Sequence, residues 1–147
     1  VTAAAIMQCP VKCVSEKSTL KEIVAFLGQH GISGAPVLDN SGKVVGIISE
    51  KDILRHIGLE GLTRSIQLVA HDACLPEIFE EHKAKILAGE VMTRPAVTVF
   101  EHSSLAEVLE LFRTQSINRI PVVDNGYTPL GIITRNDVIE AFSTIHP

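Results

Sequence analysis

A gapless internal duplication is the feature that most constrains what this chain can fold into. Residues 46–52, Gly-Ile-Ile-Ser-Glu-Lys-Asp, return 85 positions later as residues 131–137, Gly-Ile-Ile-Thr-Arg-Asn-Asp. The same offset holds without a gap from Ile6 and Val91 to Ile57 and Phe142, and 16 of these 52 pairs are identical. An open solenoid generally needs three or more repeats, so two copies predict a closed pair related by a pseudo-twofold axis.

The composition is that of a globular protein and argues against two classes of partner. The 147 residues are 46% hydrophobic and 20% charged, which suits about one compact domain. The net charge is -4 and the basic residues are scattered, whereas binding to nucleic acid needs a basic stripe to neutralise phosphates. No apolar run reaches the roughly 18 residues that span a bilayer, so we expect no direct membrane insertion.

The cysteines predict a reducing environment. The three of them, Cys9, Cys13 and Cys74, form no paired framework, and nothing marks the chain for export, so we expect a cytoplasmic location. Cys9 and Cys13 lack a second pair at metal-ligand spacing, so buried or unpaired thiols are favoured over metal ligands and no metal is expected. The start at Val1 suggests a trimmed piece of a longer protein.

Each repeat begins with a predicted strand and a predicted helix. The strands cover residues 11–14 and 97–99, each after a proline. The helices start with capping boxes, Thr19 with Glu22 and Ser104 with Glu107, in which a hydroxyl and a carboxylate satisfy free backbone donors. Spacing of i, i+3, i+4, i+7 predicts one buried stripe per helix, formed by Leu20, Ile23, Val24 and Leu27 and by Leu105, Val108, Leu109 and Phe112.

A hairpin and a second helix complete each repeat. The next strands are entered through Pro36 and Pro121 and end at Asp-Asn pairs, whose side chains bond nearby backbone in turns. The third strands, residues 44–48 and 130–133, are almost wholly apolar, which predicts cover on both faces. Helices follow from about Lys51 and Asn136. The order is β-α-β-β-α, an α/β (α+β) fold with small sheets covered by helices.

The connector between the repeats also has a helical pattern. We predict repeat 1 over residues 1–57, a connector over 58–90 and repeat 2 over 91–147. Pro76 at the start and Gly89 at the end bound a predicted helix. Its apolar face would pack on the pair or on a dimer partner, and comprises Ile78, Phe79, His82, Ile86 and Leu87.

A catalytic function finds little support in the sequence. Residues 71–74, His-Asp-Ala-Cys, look suggestive, but neighbours in a connector need not converge in space. The chain has no nucleophile elbow, no Walker loop and no Gly-x-Gly-x-x-Gly. We therefore expect no catalytic residue and no obligatory cofactor.

Three repeated motifs resemble those of a tandem pair of CBS domains, often called a Bateman module. They are Met92-Thr93-x-Pro95, Ile120-Pro121-Val122-Val123-Asp124 and Gly-Ile-Ile-Ser/Thr-x-x-Asp, and the resemblance runs from about Ile6 to Ile145. It implies a non-catalytic regulatory module that binds AMP, ADP, ATP or S-adenosylmethionine in clefts between the repeats. It also implies a homodimer that controls an enzyme or transporter on the same or another chain.

The resemblance also implies which residues bind the ligand. Asp52 and Asp137 would hold the ribose hydroxyls, and Ser49 and Thr134 would face the phosphates. The chemistry is suitable, since a carboxylate accepts from two adjacent hydroxyls and a helix N-terminus with a hydroxyl suits a phosphate. The remaining candidates are the arginines Arg119 and Arg135 for phosphate contacts, the apolar Ile32, Ala35, Ile117 and Ile120 for an adenine slot, and their neighbours Asn118 and Pro121.

The aspartate motif has a second interpretation. Ser49-x-x-Asp52 and Thr134-x-x-Asp137 are also N-terminal capping signals for the helices that they precede. The motif alone favours capping, and the whole pattern favours at least one usable nucleotide site. Both roles coexist in one aspartate only if the ligand displaces or shares the cap.

The two repeats are not equivalent. Repeat 1 has Gly34 and Glu50 where repeat 2 has Arg119 and Arg135, and Gln8 replaces the threonine of the Met-Thr motif. Because Glu50 would repel a phosphate, we hypothesise that the cleft with Thr134, Asp137 and Arg119 binds a phosphorylated nucleotide better. The acid at Glu50 also supports an alternative function, a structural homodimerisation module with empty, degenerate clefts.

Overall fold

The computed structural model describes residues 1–56 and 85–145. Within these residues each repeat has the predicted order β-α-β-β-α, and a short helix precedes each repeat. In chain order the elements are α1 (Ala3–Ile6), β1 (Val14–Ser15), α2 (Leu20–His30), β2 (Gly34–Leu38), β3 (Val44–Ser49), α3 (Glu50–His56), α4 (Ala88–Val91), β4 (Val99–Phe100), α5 (Leu105–Thr114), β5 (Arg119–Val123), β6 (Pro129–Thr134) and α6 (Arg135–Ile145).

The strands form two three-stranded sheets, ordered β1-β2-β3 and β4-β5-β6. The first strand of each sheet is parallel to the second, with Val14 opposite Val37 and Val99 opposite Val122. This parallel pairing requires a crossover, which α2 and α5 provide. β5 and β6 pair antiparallel, and Arg119 lies opposite Thr134. The predicted α+β architecture is confirmed.

The chain divides into two compact units that each combine one repeat with the segment preceding the other. One unit contains Val1–Val11, Gly42–Val44 and Ala96–Pro147, and the other contains Lys12–Ser41 and Val45–Pro95. Ala3 accordingly lies in the core of repeat 2, while Ala88 and Met92 lie in the core of repeat 1. The boundaries predicted in chain order, 1–57, 58–90 and 91–147, stay a prediction.

The segment that precedes each repeat packs with the other repeat, and we call these two segments, which contain Gln8 and Thr93, the exchanged segments. Each forms backbone hydrogen bonds with a repeated glycine stretch. The N–H of Gln8 donates to the Ile132 carbonyl at 2.8 Å, and the N–H of Ile132 donates back at 3.0 Å. Thr93 and Ile47 make the same reciprocal pair in the other unit, at 2.9 and 3.0 Å. Since Gln8 and Thr93 are 85 positions apart, as are Ile47 and Ile132, the duplication extends to this backbone contact.

Most of the predicted start and turn signals are confirmed. Thr19 and Glu22 form the complete capping box, and the Ser104 hydroxyl accepts from the Glu107 N–H. Asp39 accepts from the N–H of Ser41, and Asp124 accepts from two N–H groups in its own turn.

The packing around three elements differs from the prediction. Only Val14–Ser15 and Val99–Phe100 form the first strands, because only these residues find partners on the next strand. Leu109 is 41% exposed and does not join the buried stripe of α5. Val108 is buried in the core of repeat 2, and Leu111 and Phe112 pack against that core. β3 buries alternate residues from Val44 to Ile48 and β6 buries Gly131 and Ile133, while the other residues of both strands are only partly covered.

The connector prediction is wrong where the structure describes it. Leu87 has extended backbone and bridges to Thr19, so it does not continue a helix. Gly89 lies inside α4 rather than at a helix end. The bulk of the predicted connector helix, and the cluster at residues 71–74, lie outside the described residues.

Candidate ligand-binding site

Both aspartate motifs form caps at a strand-to-helix junction. Asp52 Oδ2 accepts from the Ser49 N–H and hydroxyl, each at 3.0 Å, and the Asp52 N–H donates to the Ser49 hydroxyl at 3.3 Å. In repeat 2, Asp137 Oδ2 accepts from the Thr134 N–H at 2.7 Å and its hydroxyl at 3.0 Å, and the Asp137 N–H donates back at 3.3 Å. The capping interpretation is therefore confirmed for both motifs.

The exchanged segments bring a further donor to each aspartate. Gln8 Nε2 donates to both carboxylate oxygens of Asp137, at 2.9 Å and 3.0 Å. The equivalent residue in the other unit, Thr93, donates through its hydroxyl to Asp52 Oδ1 at 3.4 Å. Arg55 adds a long ion pair to the same oxygen at 3.9 Å. The sequence shows that residue 8 is a glutamine where the equivalent residue 93 is a threonine. It does not show that Gln8 contacts Asp137, because the two residues are 129 positions apart.

The two predicted arginines have different settings. Arg119 lies on β5 directly opposite Thr134 and is partly buried. Arg135, the first residue of α6, is exposed; its Nε donates to the Ile117 carbonyl at 3.0 Å, and its guanidinium lies 5.8 Å from the centre of the Phe112 ring. The structure therefore brings Arg119 beside the hydroxyl residue of the motif, while Arg135 packs against its own unit.

The apolar candidates divide by exposure. Ala35 and Ile120 are 0% exposed and belong to the two cores. Residues without exposed surface can contact a ligand only after the core repacks, whereas Ile32 and Ile117 are partly exposed. The other neighbours are the buried Pro121 and the exposed Asn118. Ligand roles for this set stay a prediction.

Glu50 begins α3 where repeat 2 has Arg135. Its N–H donates to the Ser33 carbonyl at 2.9 Å, and its side chain is partly exposed. An acid therefore occupies the first position of α3, where α6 has an arginine. Repulsion of a phosphate by this acid stays a prediction.

A separate cleft of about 270 Å³ opens beside α2. Burial raises the pKa of the Cys13 thiol in its wall to about 11, so this thiol stays protonated at neutral pH and is a poor nucleophile and metal ligand. The other lining residues are Val14, Ser15, Ser18, Glu22, Ile23 and Phe26.

The described residues offer neither a metal-binding cluster nor a membrane-spanning helix. In residues 1–56 and 85–145, no three His, Cys, Asp or Glu side chains gather as a metal site would require. Over the same part of the chain, no helix has both the length and the apolar composition needed to cross a membrane.

The family of the chain follows from comparison with known proteins. The family model described as CBS domain matches twice, at residues 3–59 and 88–144. Each match begins at the short helix that precedes a repeat, so α1 and α4 belong to the family's unit. The chain belongs to the CBS domain family and carries two copies of the domain.

One relative in sequence is an uncharacterised protein, MJ1426, from Methanocaldococcus jannaschii. The two are 34% identical over an alignment 148 positions long, which covers 92% of this chain and 88% of that protein. The chain spans only 57% of one other curated relative and 21% of another. Those relatives therefore carry sequence beyond a pair of this kind.

Solved structures share the fold over nearly the whole chain. The structure of CBSX2 in complex with AMP has a TM-score of 0.75 at 22% identity, covering 99% of this chain and 98% of that one. The CBS domain pair of MJ0100, in complex with 5'-methylthioadenosine and S-adenosylmethionine, has a TM-score of 0.72 at 23% identity with the same coverage. At these identities the likeness establishes the fold.

Proposed function

We propose that this chain is a non-catalytic regulatory module that binds an adenosine-containing ligand, AMP, ADP, ATP or S-adenosylmethionine. The observation that carries the proposal is the grouping of Thr134, Asp137 and Arg119 at one end of the β5–β6 pair. This group combines a carboxylate, a hydroxyl and a guanidinium. The AMP and S-adenosylmethionine complexes of proteins with the same fold support the class of ligand.

Each member of the group has a distinct role in the proposal. Asp137 accepts from the two ribose hydroxyls, because a carboxylate offers several acceptor positions. Thr134 and the backbone donors at the start of the 11-residue helix α6 face the phosphate. Arg119 adds a charge-assisted contact to the phosphate. Ile117, partly exposed, contacts the base.

Binding is tested by calorimetry and thermal shift with AMP, ADP, ATP and S-adenosylmethionine. A ligand that binds only the folded chain, at about 100 times its Kd, raises the free energy of unfolding by about 2.7 kcal/mol. In Asp52→Ala, which retains the Asp137 site, adding Asp137→Ala weakens AMP and adenosine alike, whereas adding Arg119→Ala weakens AMP by about tenfold and spares adenosine, since loss of a charged contact costs about 1.5 kcal/mol or more.

Arg113→Ala provides the matched control for the arginine. Arg113 is exposed and pairs with Glu110 on α5, so its loss removes one positive charge without touching the group around Asp137. Affinities that are the same in Arg119→Ala, Asp137→Ala and Arg113→Ala contradict the assignment of the site.

A second candidate function is structural homodimerisation with empty clefts. One observation in its favour is that Thr134 and Gln8 already occupy the carboxylate oxygens of Asp137 with donors from the chain itself. A stable dimer that shows no thermal shift with any of the four ligands, and no nucleotide on mass spectrometry of the purified protein, supports this function over ligand sensing.

We also propose that the chain forms a homodimer under either function. Its α5 and α6 expose three large apolar side chains, Leu109 at 41%, Ile139 at 63% and Phe142 at 53%. Burying these side chains against a second copy would remove apolar area from water. Ile139→Asp is therefore expected to shift the mass measured by light scattering from dimer to monomer, while Tyr127→Asp, at an exposed turn residue, leaves it unchanged.

The regulated protein is an enzyme or transporter on the same or another chain, and the proposed place of action is the cytoplasm. Support for a fused partner comes from curated relatives of which this chain spans only 57% or 21%. Regulation of such a partner requires that the ligand bind two arrangements of the module with different affinities.

A further inference from the structure

The side chain of Gln8 covers the carboxylate that the proposed function assigns to the ribose. Its amide nitrogen lies 2.9 Å from Asp137 Oδ1 and 3.0 Å from Oδ2. Thr134 supplies two further donors to Oδ2, its N–H at 2.7 Å and its hydroxyl at 3.0 Å. A carboxylate has about four lone-pair positions, so these contacts leave little acceptor capacity for a ligand.

The equivalent position in the other unit leaves its aspartate more open. Thr93 reaches only Oδ1 of Asp52, at 3.4 Å, which is near the limit for a hydrogen bond between oxygens. Arg55 faces the same oxygen at 3.9 Å, and Ser49 bonds only Oδ2. Asp52 thus accepts three hydrogen bonds, one of them at 3.4 Å, whereas Asp137 receives four contacts of 3.0 Å or less, so Asp52 is the less saturated carboxylate.

The backbone of Gln8 is held in place, whereas its side chain can move. Two backbone hydrogen bonds with Ile132, at 2.8 and 3.0 Å, hold the main chain of Gln8 beside the motif. The Gln8 residue itself is exposed, so its amide can rotate into water without leaving a buried group unsatisfied. Rotation of the Gln8 side chain alone would remove its contacts to both oxygens of Asp137.

We propose that Gln8 competes with the ligand for Asp137 and thereby sets the affinity of that site for ribose. A ribose presents two neighbouring hydroxyl donors to the carboxylate, and both need oxygens that Gln8 now occupies. The free energy of the Gln8 contact is thus subtracted from ligand binding at Asp137 but not at Asp52. This inference rests on the proposed function and opposes the sequence-based ranking, which put the Asp137 cleft first.

The test exchanges the two equivalent side chains. AMP binding is measured by calorimetry in Asp52→Ala, which retains the Asp137 site, and in Asp137→Ala, which retains the Asp52 site. Adding Gln8→Thr to the first is expected to raise AMP affinity about tenfold, the order of a hydrogen bond to a charged group. Adding Thr93→Gln to the second is expected to lower AMP affinity by a similar factor.

Two further variants keep the test decisive. If Asp52→Ala does not fold, Asp52→Asn retains a capping oxygen and replaces it. Gln8→Ala removes the amide without adding a hydroxyl, and it is expected to raise AMP affinity as Gln8→Thr does. The gain must vanish with 2′,3′-dideoxy-AMP, which lacks both hydroxyls, whereas a purely structural effect of residue 8 changes both ligands equally.

The outcomes separate this inference from the proposed function. AMP affinity that stays within about twofold in Gln8→Thr and Gln8→Ala, while Asp137→Ala still abolishes binding at that site, overturns the competition and leaves the sensor function intact. An equal gain for AMP and 2′,3′-dideoxy-AMP also overturns it. If neither the natural chain nor Gln8→Thr binds AMP or S-adenosylmethionine, the proposed function fails and this inference fails with it.

Discussion

The repeated glycines show how one residue type is fixed by packing rather than by backbone angle. Neither Gly46 nor Gly131 has a positive φ. A Cβ built on Gly131 would lie 2.6 Å from Met7 Sδ and 2.8 Å from the Gln8 carbonyl oxygen, and Gly46 meets Met92 and Thr93 at the same distances. The exchanged segment passes so close to the strand that only glycine fits.

Gly131→Ala is therefore expected to lower the free energy of unfolding by about 2 kcal/mol, as overpacking does when backbone cannot move aside. Urea denaturation measures this change. Gly126→Ala is the control, since its Cβ would stay 3.5 Å from the nearest atom, an Asp124 oxygen. Equal stability of the two variants would show that the Met7–Gln8 segment moves freely.

At the residue scale the sequence located the aspartates and their hydroxyl partners, and the reciprocal caps confirm that local chemistry. It did not locate Gln8 as a partner of Asp137, because hydrogen bonds across 129 positions leave no periodic signal in one sequence. Ala35 and Ile120, which the sequence assigns to a ligand slot, are buried in the two cores, and their ligand role stays a prediction.

At the scale of the element, the start of α2 shows a local signal with an electrostatic consequence. The Glu22 carboxylate accepts from the Thr19 N–H and from the Thr19 hydroxyl, each at 3.0 Å. The backbone bond first, and the hydroxyl second, lower the pKa of Glu22 from its ordinary value of 4.5. The charged form of Glu22 therefore favours the folded state.

The pH dependence of this contribution has a defined sign. Because the folded pKa of Glu22 is lowered, its contribution is present above the unfolded value of 4.5 and is lost as pH falls through the lower folded value. Glu22→Gln is expected to be less stable than the natural chain at pH 7, and the difference shrinks as pH falls below 4.5. Thermal unfolding at a series of pH values measures it.

Lys21→Gln is the control for the capping carboxylate, because it changes the charge of the same exposed turn while Glu22 stays in place. A difference between the natural chain and Glu22→Gln that stays constant from pH 7 to below 4.5 contradicts this account.

Elements with their own start signals were predicted well, and elements that depend on a distant partner were not. The helices α2 and α5 begin directly after Thr19 and Ser104, whose hydroxyls accept from Glu22 and Glu107 as predicted, although only the first pair forms the complete capping box. The first strands have only two residues each and are shorter than predicted, since their length depends on pairing with the next strand. On α5, periodicity alone did not distinguish the exposed Leu109 from the buried Val108.

At the scale of the whole molecule, each compact unit needs a segment that precedes the other repeat in sequence. Ala3 of α1 is 0% exposed in the core that contains Ile120 and Ile133. Gln8 extends the hydrogen bonding of β6 through Ile132. A repeat cut out at its own boundaries would lack these contacts.

Deleting residues 1–8 is accordingly expected to destabilise the unit that contains repeat 2 while sparing the other unit. Hydrogen exchange measured by mass spectrometry should show faster exchange in β6, where Ile132 loses its partner, than in β3, where Ile47 keeps Thr93. Uniform acceleration in both strands, or in neither, contradicts the assignment of the segment to repeat 2.

The sequence by itself determined the duplication, the β-α-β-β-α order, the helix starts and the family, because each depends on short-range spacing or on a pattern that occurs twice. Only the tertiary structure decided which repeat each leading segment completes, why the two glycines are needed and which donor faces each aspartate. Those features depend on contacts between residues far apart in the chain, where the geometry of the packed unit, and not local propensity, sets the distances.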